Sequence, residues 1–245
     1  MITNPWQVQI QGWASDLEHL AHHFTSTPKR IIKDELEASF LYESDAFAAC
    51  SQPDEILKLA NEELSVISGV LKVTRNSPET LRTGAIYKRN ANGRDIFICI
   101  QGMGIRAESG ELRITVTDNN GNIVTVPTVP PRSVTITQLA AADIGVAKAM
   151  RLLAAPDYKT WVGMYRIHEV IEADLGGEHK LKKCSWGSAQ DLKRFKRSAN
   201  SVTVAGDTAR HGKEIEQPPA NPMSTDEAAA YLNYVLQSWL SSKGG

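Results

Sequence analysis

Residues 198–212 read Ser-Ala-Asn-Ser-Val-Thr-Val-Ala-Gly-Asp-Thr-Ala-Arg-His-Gly, which places an amide (Asn200), a carboxylate (Asp207), a guanidinium (Arg210) and an imidazole (His211) in one glycine-punctuated stretch. Glycine lets a backbone approach a ligand closely, and Arg beside His suits the binding or polarisation of a phosphate. For RNA, such a His moves the proton of a 2′-hydroxyl while Arg stabilises charge on the phosphate, with no metal and no cofactor required. The same residues also have a plainer use, in which an Asp207–Arg210 salt bridge pins the loop.

A second group lies one predicted helix earlier. His168 and Glu172 are one turn apart within the apolar stripe formed by Trp161, Met164 and Leu175. Ionisable groups on a buried stripe demand partners, and a carboxylate beside an imidazole can fix its tautomer for proton transfer. A mutually satisfied structural pair is the alternative.

The third feature is charge. From residue 178 to 213 there are nine basic residues against three acidic ones, a local excess of six in a chain whose net charge is −1. Lys193, Lys196, Arg197 and Asn200 fall on one side of a predicted helix, opposite Leu192 and Phe195. Cations arranged in this way suit a phosphate backbone, and the competing reading is a solvated basic face.

The elements that must position these groups follow from periodicity. Strands are predicted over residues 8–12, 36–42, 85–89, 94–101, 111–117 and 123–126, the last four forming a β-meander through the Asn-Gly and Ser-Gly turns between them. A capping box at Ser15 opens a helix to about residue 24. Pro53 opens a longer one, along which Ile56, Leu59, Ala60, Leu64, Ile67 and Leu71 recur at helical spacing. Three prolines in residues 125–133 mark a linker. Beyond it, apolar spacing predicts four helices. Leu139 to Leu153 form one stripe and Trp161 to Leu175 a second, apolar on most sides; Ser188 caps the third and Ser224 the fourth. The expected fold is α+β: a strand-rich domain over 1–127 with one long helix, then an antiparallel four-helix bundle over 134–245.

Composition narrows the class. A 245-residue chain with 42% hydrophobic and 22% charged residues is globular, and its three cysteines, Cys50, Cys99 and Cys184, have neither disulfide-framework nor zinc spacing. No signal-like start and no apolar run near the roughly 20 residues of a membrane span are present, which predicts a cytoplasmic protein without membrane partners. His19, His22 and His23 share a helix face but find no further metal-ligand cluster in the sequence. Walker, HExxH, paired CxxC and Ser-His-Asp patterns are absent.

A helical bundle with Asn200 on its third helix and Arg210-His211 shortly after resembles the HEPN superfamily over about residues 135–242. The family's signature is an Arg, four to six residues and a His, whereas here the Arg and His are adjacent. The resemblance implies RNA or another phosphate-rich ligand, pairing of two copies through the helices and an atypical or degenerate metal-independent ribonuclease of prokaryotic defence. The binding residues would be Lys193, Lys196, Arg197 and Arg210. The catalytic candidates are Arg210, His211, Asn200, His168 and Glu172. The alternative is a non-catalytic interaction module in which the polar groups are structural.

Overall fold

The computed structural model describes residues 5–34, 38–90, 93–97, 130–213 and 217–245. The fold is α+β, and Cα packing divides it into two compact units, residues 1–71 with 76–134 and residues 72–75 with 135–245.

The first unit holds an antiparallel sheet of strands β1 (Trp6–Gln11), β2 (Lys29–Asp34), β3 (Ser39–Ser44), β4 (Arg82–Asn90) and β5 (Gly93–Phe97), in the order β2-β3-β1-β4-β5. Trp6, Val8 and Ile10 alternate into the core, where each is at most 3% exposed. Helix α1 (Ala14–His23) begins two residues earlier than the Ser15 capping box predicts: its N-cap is Trp13, and no side chain caps it. Helix α2 (Pro53–Arg75) does start at the expected proline, with the Glu55 carboxylate accepting from the backbone N–H groups of Ser51 and Gln52. Of its predicted stripe, Ile56, Ala60, Leu64, Ile67 and Leu71 are buried, each large side chain contributing about 1.5–3 kcal/mol, and Leu59 is half-buried.

One difference from the predicted strands is physical. β2 was not anticipated, because Lys-Arg-Ile-Ile-Lys-Asp offers two adjacent apolar residues rather than an alternation; its register against β3 pairs Ile31 with Tyr42. Of the expected meander, β4 and β5 pair antiparallel as adjacent strands, and in the sheet β1 lies between β3 and β4. The predicted strands over 111–117 and 123–126, and residues 125–129 of the predicted linker, lie outside the described residues.

In the second unit the predicted first helix is two. Helices α3 (Arg132–Ala142) and α4 (Ile144–Ala154) are separated by Asp143, whose Oδ1 accepts from the N–H groups of Gly145 and Val146 and so starts a new helix inside a continuous apolar stripe. Helix α5 (Trp161–Leu175) packs against α4 and is stopped by Gly176 and Gly177, both at positive φ. Helix α6 (Glu178–Lys183) follows at once. Helix α7 (Ala189–Asn200) is capped by Ser188 Oγ, α8 (Val202–Ala205) is a single turn, and α9 (Thr225–Ser242) carries the predicted Ser224–Glu227 capping box. Seven α-helices therefore stand among the described residues from 132 onward, in place of the four that spacing predicted. α5 is the central one, packing also against α6, α7 and α9.

Candidate anion-binding cleft

α7 is positioned by its apolar side. Leu192, Phe195 and Ala199 are at most 4% exposed, and the buried Ser198 Oγ accepts from the N–H of Met223 at 2.9 Å. That anchorage turns Lys193, Lys196, Arg197 and Asn200 outward on one side. They form a wall of a cleft of about 730 Å³ within the second unit. Glu178 and Lys182 of α6 supply another wall, and Ala189, Leu192, Ser201, His211 and Gln217 also line it.

The charges inside this cleft are unequally engaged. Lys196 Nζ lies 2.6 Å from Glu178 Oε2 and 3.1 Å from Glu172 Oε2, while Lys182 Nζ lies 2.5 Å from Glu178 Oε1. Hydrogen bonds from Lys182 and then Lys196 hold the Glu178 carboxyl down at about 2. Burial works against the charge on Lys196, but Glu178, Tyr165 and Glu172 outweigh it and leave that pKa raised. Arg197 Nη2 donates to the Gln217 carbonyl at 2.6 Å. Lys193 is exposed and pairs with no carboxylate among the described residues.

Two polar groups at the cleft are notable for lacking partners. Ser201 is 3% exposed, and neither its Oγ nor the buried Oδ1 of Asn200 has a hydrogen bond. A buried hydroxyl or amide oxygen without a partner costs stability.

The sequence-predicted candidates separate into two sets. Asn200 and His211 line the cleft together with Lys193, Lys196 and Arg197. Glu172 reaches it indirectly, through Lys196. Arg210 and His168 are not among the lining residues. The Arg210 guanidinium lies over the Tyr165 ring, 4.4 Å from its centroid, and Nη2 is 2.5 Å from Glu169 Oε1. Its carboxylate partner is thus Glu169 rather than the predicted Asp207. The Arg210 backbone N–H also donates to the Ala199 carbonyl at 2.9 Å, tying the loop to the end of α7. Arg210 Nη1 sits 3.4 Å from His211 Nε2.

His168 is fully buried among the rings of Tyr165 and Phe195, at centroid distances of 5.8 and 5.3 Å. Its Nδ1 is 3.5 Å from Glu172 Oε2, too long for a hydrogen bond, and neither ring nitrogen has a hydrogen-bond partner. Burial lowers its pKa to about 4 despite the opposing pull of Glu172, so the ring is neutral near pH 7.

Sequence reasoning missed Glu178, Lys182, Ser201 and Gln217 as cleft residues. The available signal was the Gly176-Gly177 break, which ends α5 and starts the short basic α6 immediately afterward.

No group of three or more metal-capable side chains converges among the described residues, and no described helix is long and apolar enough to cross a membrane. Comparison with family models, curated proteins and solved structures finds no significant match.

Proposed function

We propose that the helical unit is an HEPN-like module that binds RNA or another phosphate-rich ligand in the cleft along α7. The observation carrying this reading is the meeting of Lys193, Lys196, Arg197 and His211 around one cavity that Asn200 and Ser201 also line. Cations from two helices and the loop after them surround a space that a phosphate can enter, and amide and hydroxyl groups beside them can orient it.

Binding is better supported than turnover. Of the five catalytic candidates, His168 is sealed from solvent and neutral, Glu172 is engaged by Lys196, and Arg210 is held by Tyr165 and Glu169. Proton transfer in the cleft therefore falls to His211, with Asn200 beside it. The engagement of those three residues also favours the second reading, a non-catalytic interaction module, as far as the chemistry is concerned.

Fluorescence anisotropy with a labelled single-stranded RNA, repeated across a salt series, tests the proposal. Phosphate binding weakens linearly in log–log form as salt rises. Absence of binding at low salt removes the proposal in favour of a module for a protein partner. Intact binding with no RNA cleavage, in both the unaltered protein and His211→Ala, makes it a binder rather than a nuclease.

A further inference from the structure

Away from the cleft, the second unit gathers two lysines on one aromatic ring. The last turn of α2, residues 72–75, belongs to this unit. There Lys72 Nζ lies over the Tyr158 ring, 4.4 Å from its centroid, and Lys159 Nζ approaches the same ring at 5.9 Å. The turn carrying Tyr158 is fixed. Its N–H donates to the Ala155 carbonyl at 3.2 Å, and the chain runs so close to α5 that a Cβ at Gly163 would collide with the Asp157 carbonyl.

Neither lysine pairs with a carboxylate among the described residues. Lys29, Lys196 and Lys243, half-buried as Lys72 is, each hold one. Asp157, in the same turn as Tyr158, instead faces Arg166 at 4.0 Å. A half-buried ammonium with a second ammonium as neighbour and no counter-ion is held in its charged form less firmly than an exposed one.

We infer that the Lys72 amine is a modification site acylated by acyl phosphates, with Lys159 holding the phosphate group. Partial burial, and after it the Lys159 charge, push the Lys72 pKa below the ordinary lysine value. Near neutral pH a larger share of Lys72 is thus the uncharged, nucleophilic amine than of an exposed lysine. Its nitrogen lone pair attacks the acyl carbon and a C–N bond forms. The bond from that carbon to the phosphate oxygen breaks, phosphate leaves with the electron pair, and the proton on nitrogen passes to water. Lys159, exposed, is a point charge suited to the phosphate oxygens. The neutral amide product removes one of two like charges at the ring.

The test incubates the full chain with acetyl phosphate near neutral pH and follows each lysine by quantitative tandem mass spectrometry. Lys72 should be acetylated several-fold faster than the exposed Lys58 and Lys148, and its rate should rise with pH through a lower midpoint than theirs. Lys159→Ala, checked for native circular dichroism, should slow acetylation of Lys72 by acetyl phosphate several-fold more than acetylation by N-hydroxysuccinimide acetate, which carries no phosphate. Inorganic phosphate should inhibit the first reaction and leave the second unchanged. Lys72 reacting no faster than Lys58 and Lys148 with either reagent overturns the inference. Equal slowing of the two reagents in Lys159→Ala, or no competition by phosphate, overturns the assignment to acyl phosphates.

Discussion

Arg210 is stacked on Tyr165: its guanidinium carbon lies 4.4 Å from the ring centroid while Nη2 grips Glu169 at 2.5 Å. Both partners lie on α5, so this side chain fastens the loop carrying His211 to the central helix. Arg210→Ala should cost about 1 kcal/mol, as expected for a half-exposed ion pair with a cation–π contact. Urea unfolding measures the loss, and limited proteolysis should show earlier cleavage within residues 206–213. Arg210→Lys should recover little of it, because a lysine has no planar group to stack.

His168 couples stability to pH. Its folded pKa is about 4, below the unfolded value near 6.5, so the unfolded chain binds the extra proton between those limits. Stability is therefore whole above about pH 6.5 and falls as pH drops toward 4, by about 3 kcal/mol in total if the group acts alone. Substitution His168→Phe, which keeps a ring among Tyr165 and Phe195, should flatten that part of the pH–stability curve. An unchanged slope between pH 6 and about 4.5 in the variant would assign the acid sensitivity elsewhere.

Glu178 subtracts from the charge of the cleft. Glu178→Gln frees Lys182 and Lys196 from the carboxylate they share and raises the local charge by one. Anionic ligands should bind several-fold more tightly, with a steeper salt dependence, in isothermal titration. The depressed Glu178 pKa adds a stability contribution that is present above about pH 4.5 and disappears as pH falls toward 2, and the variant lacks it.

Ser198 secures the back of α7. Its Oγ accepts from the N–H of Met223 inside the core, so Ser198→Ala leaves a buried donor unpaired and should cost about 1–3 kcal/mol. Thermal unfolding gives the value. Ligand affinity measured well below the transition should change far less than for substitutions on the Lys193 side.

What the sequence made legible was local. Pro53, Ser188 and Ser224 announce helix starts because capping depends on residues within one turn, and the structure finds all three. The Lys193–Asn200 side of α7 was equally readable, since helical spacing alone brings its members together. Asp143 was not: the apolar stripe runs straight through it, and only its side-chain bonds to Gly145 and Val146 reveal the break. β2 lacked alternation and draws its stability from pairing with β3. The partners of Arg210 lie more than forty residues away in sequence, and no periodicity relates Glu169 to that loop. The same limit hid the contribution of α6 to the cleft.

Charge reversal at Lys193 examines the central claim most directly, because this side chain lines the cleft, is exposed and holds no ion pair among the described residues. Anisotropy titration of a labelled single-stranded RNA at low salt should give binding that Lys193→Glu weakens at least tenfold, while its unfolding midpoint matches that of the unaltered protein. Equal affinity in the two proteins would contradict the assignment of the cleft as the anion site.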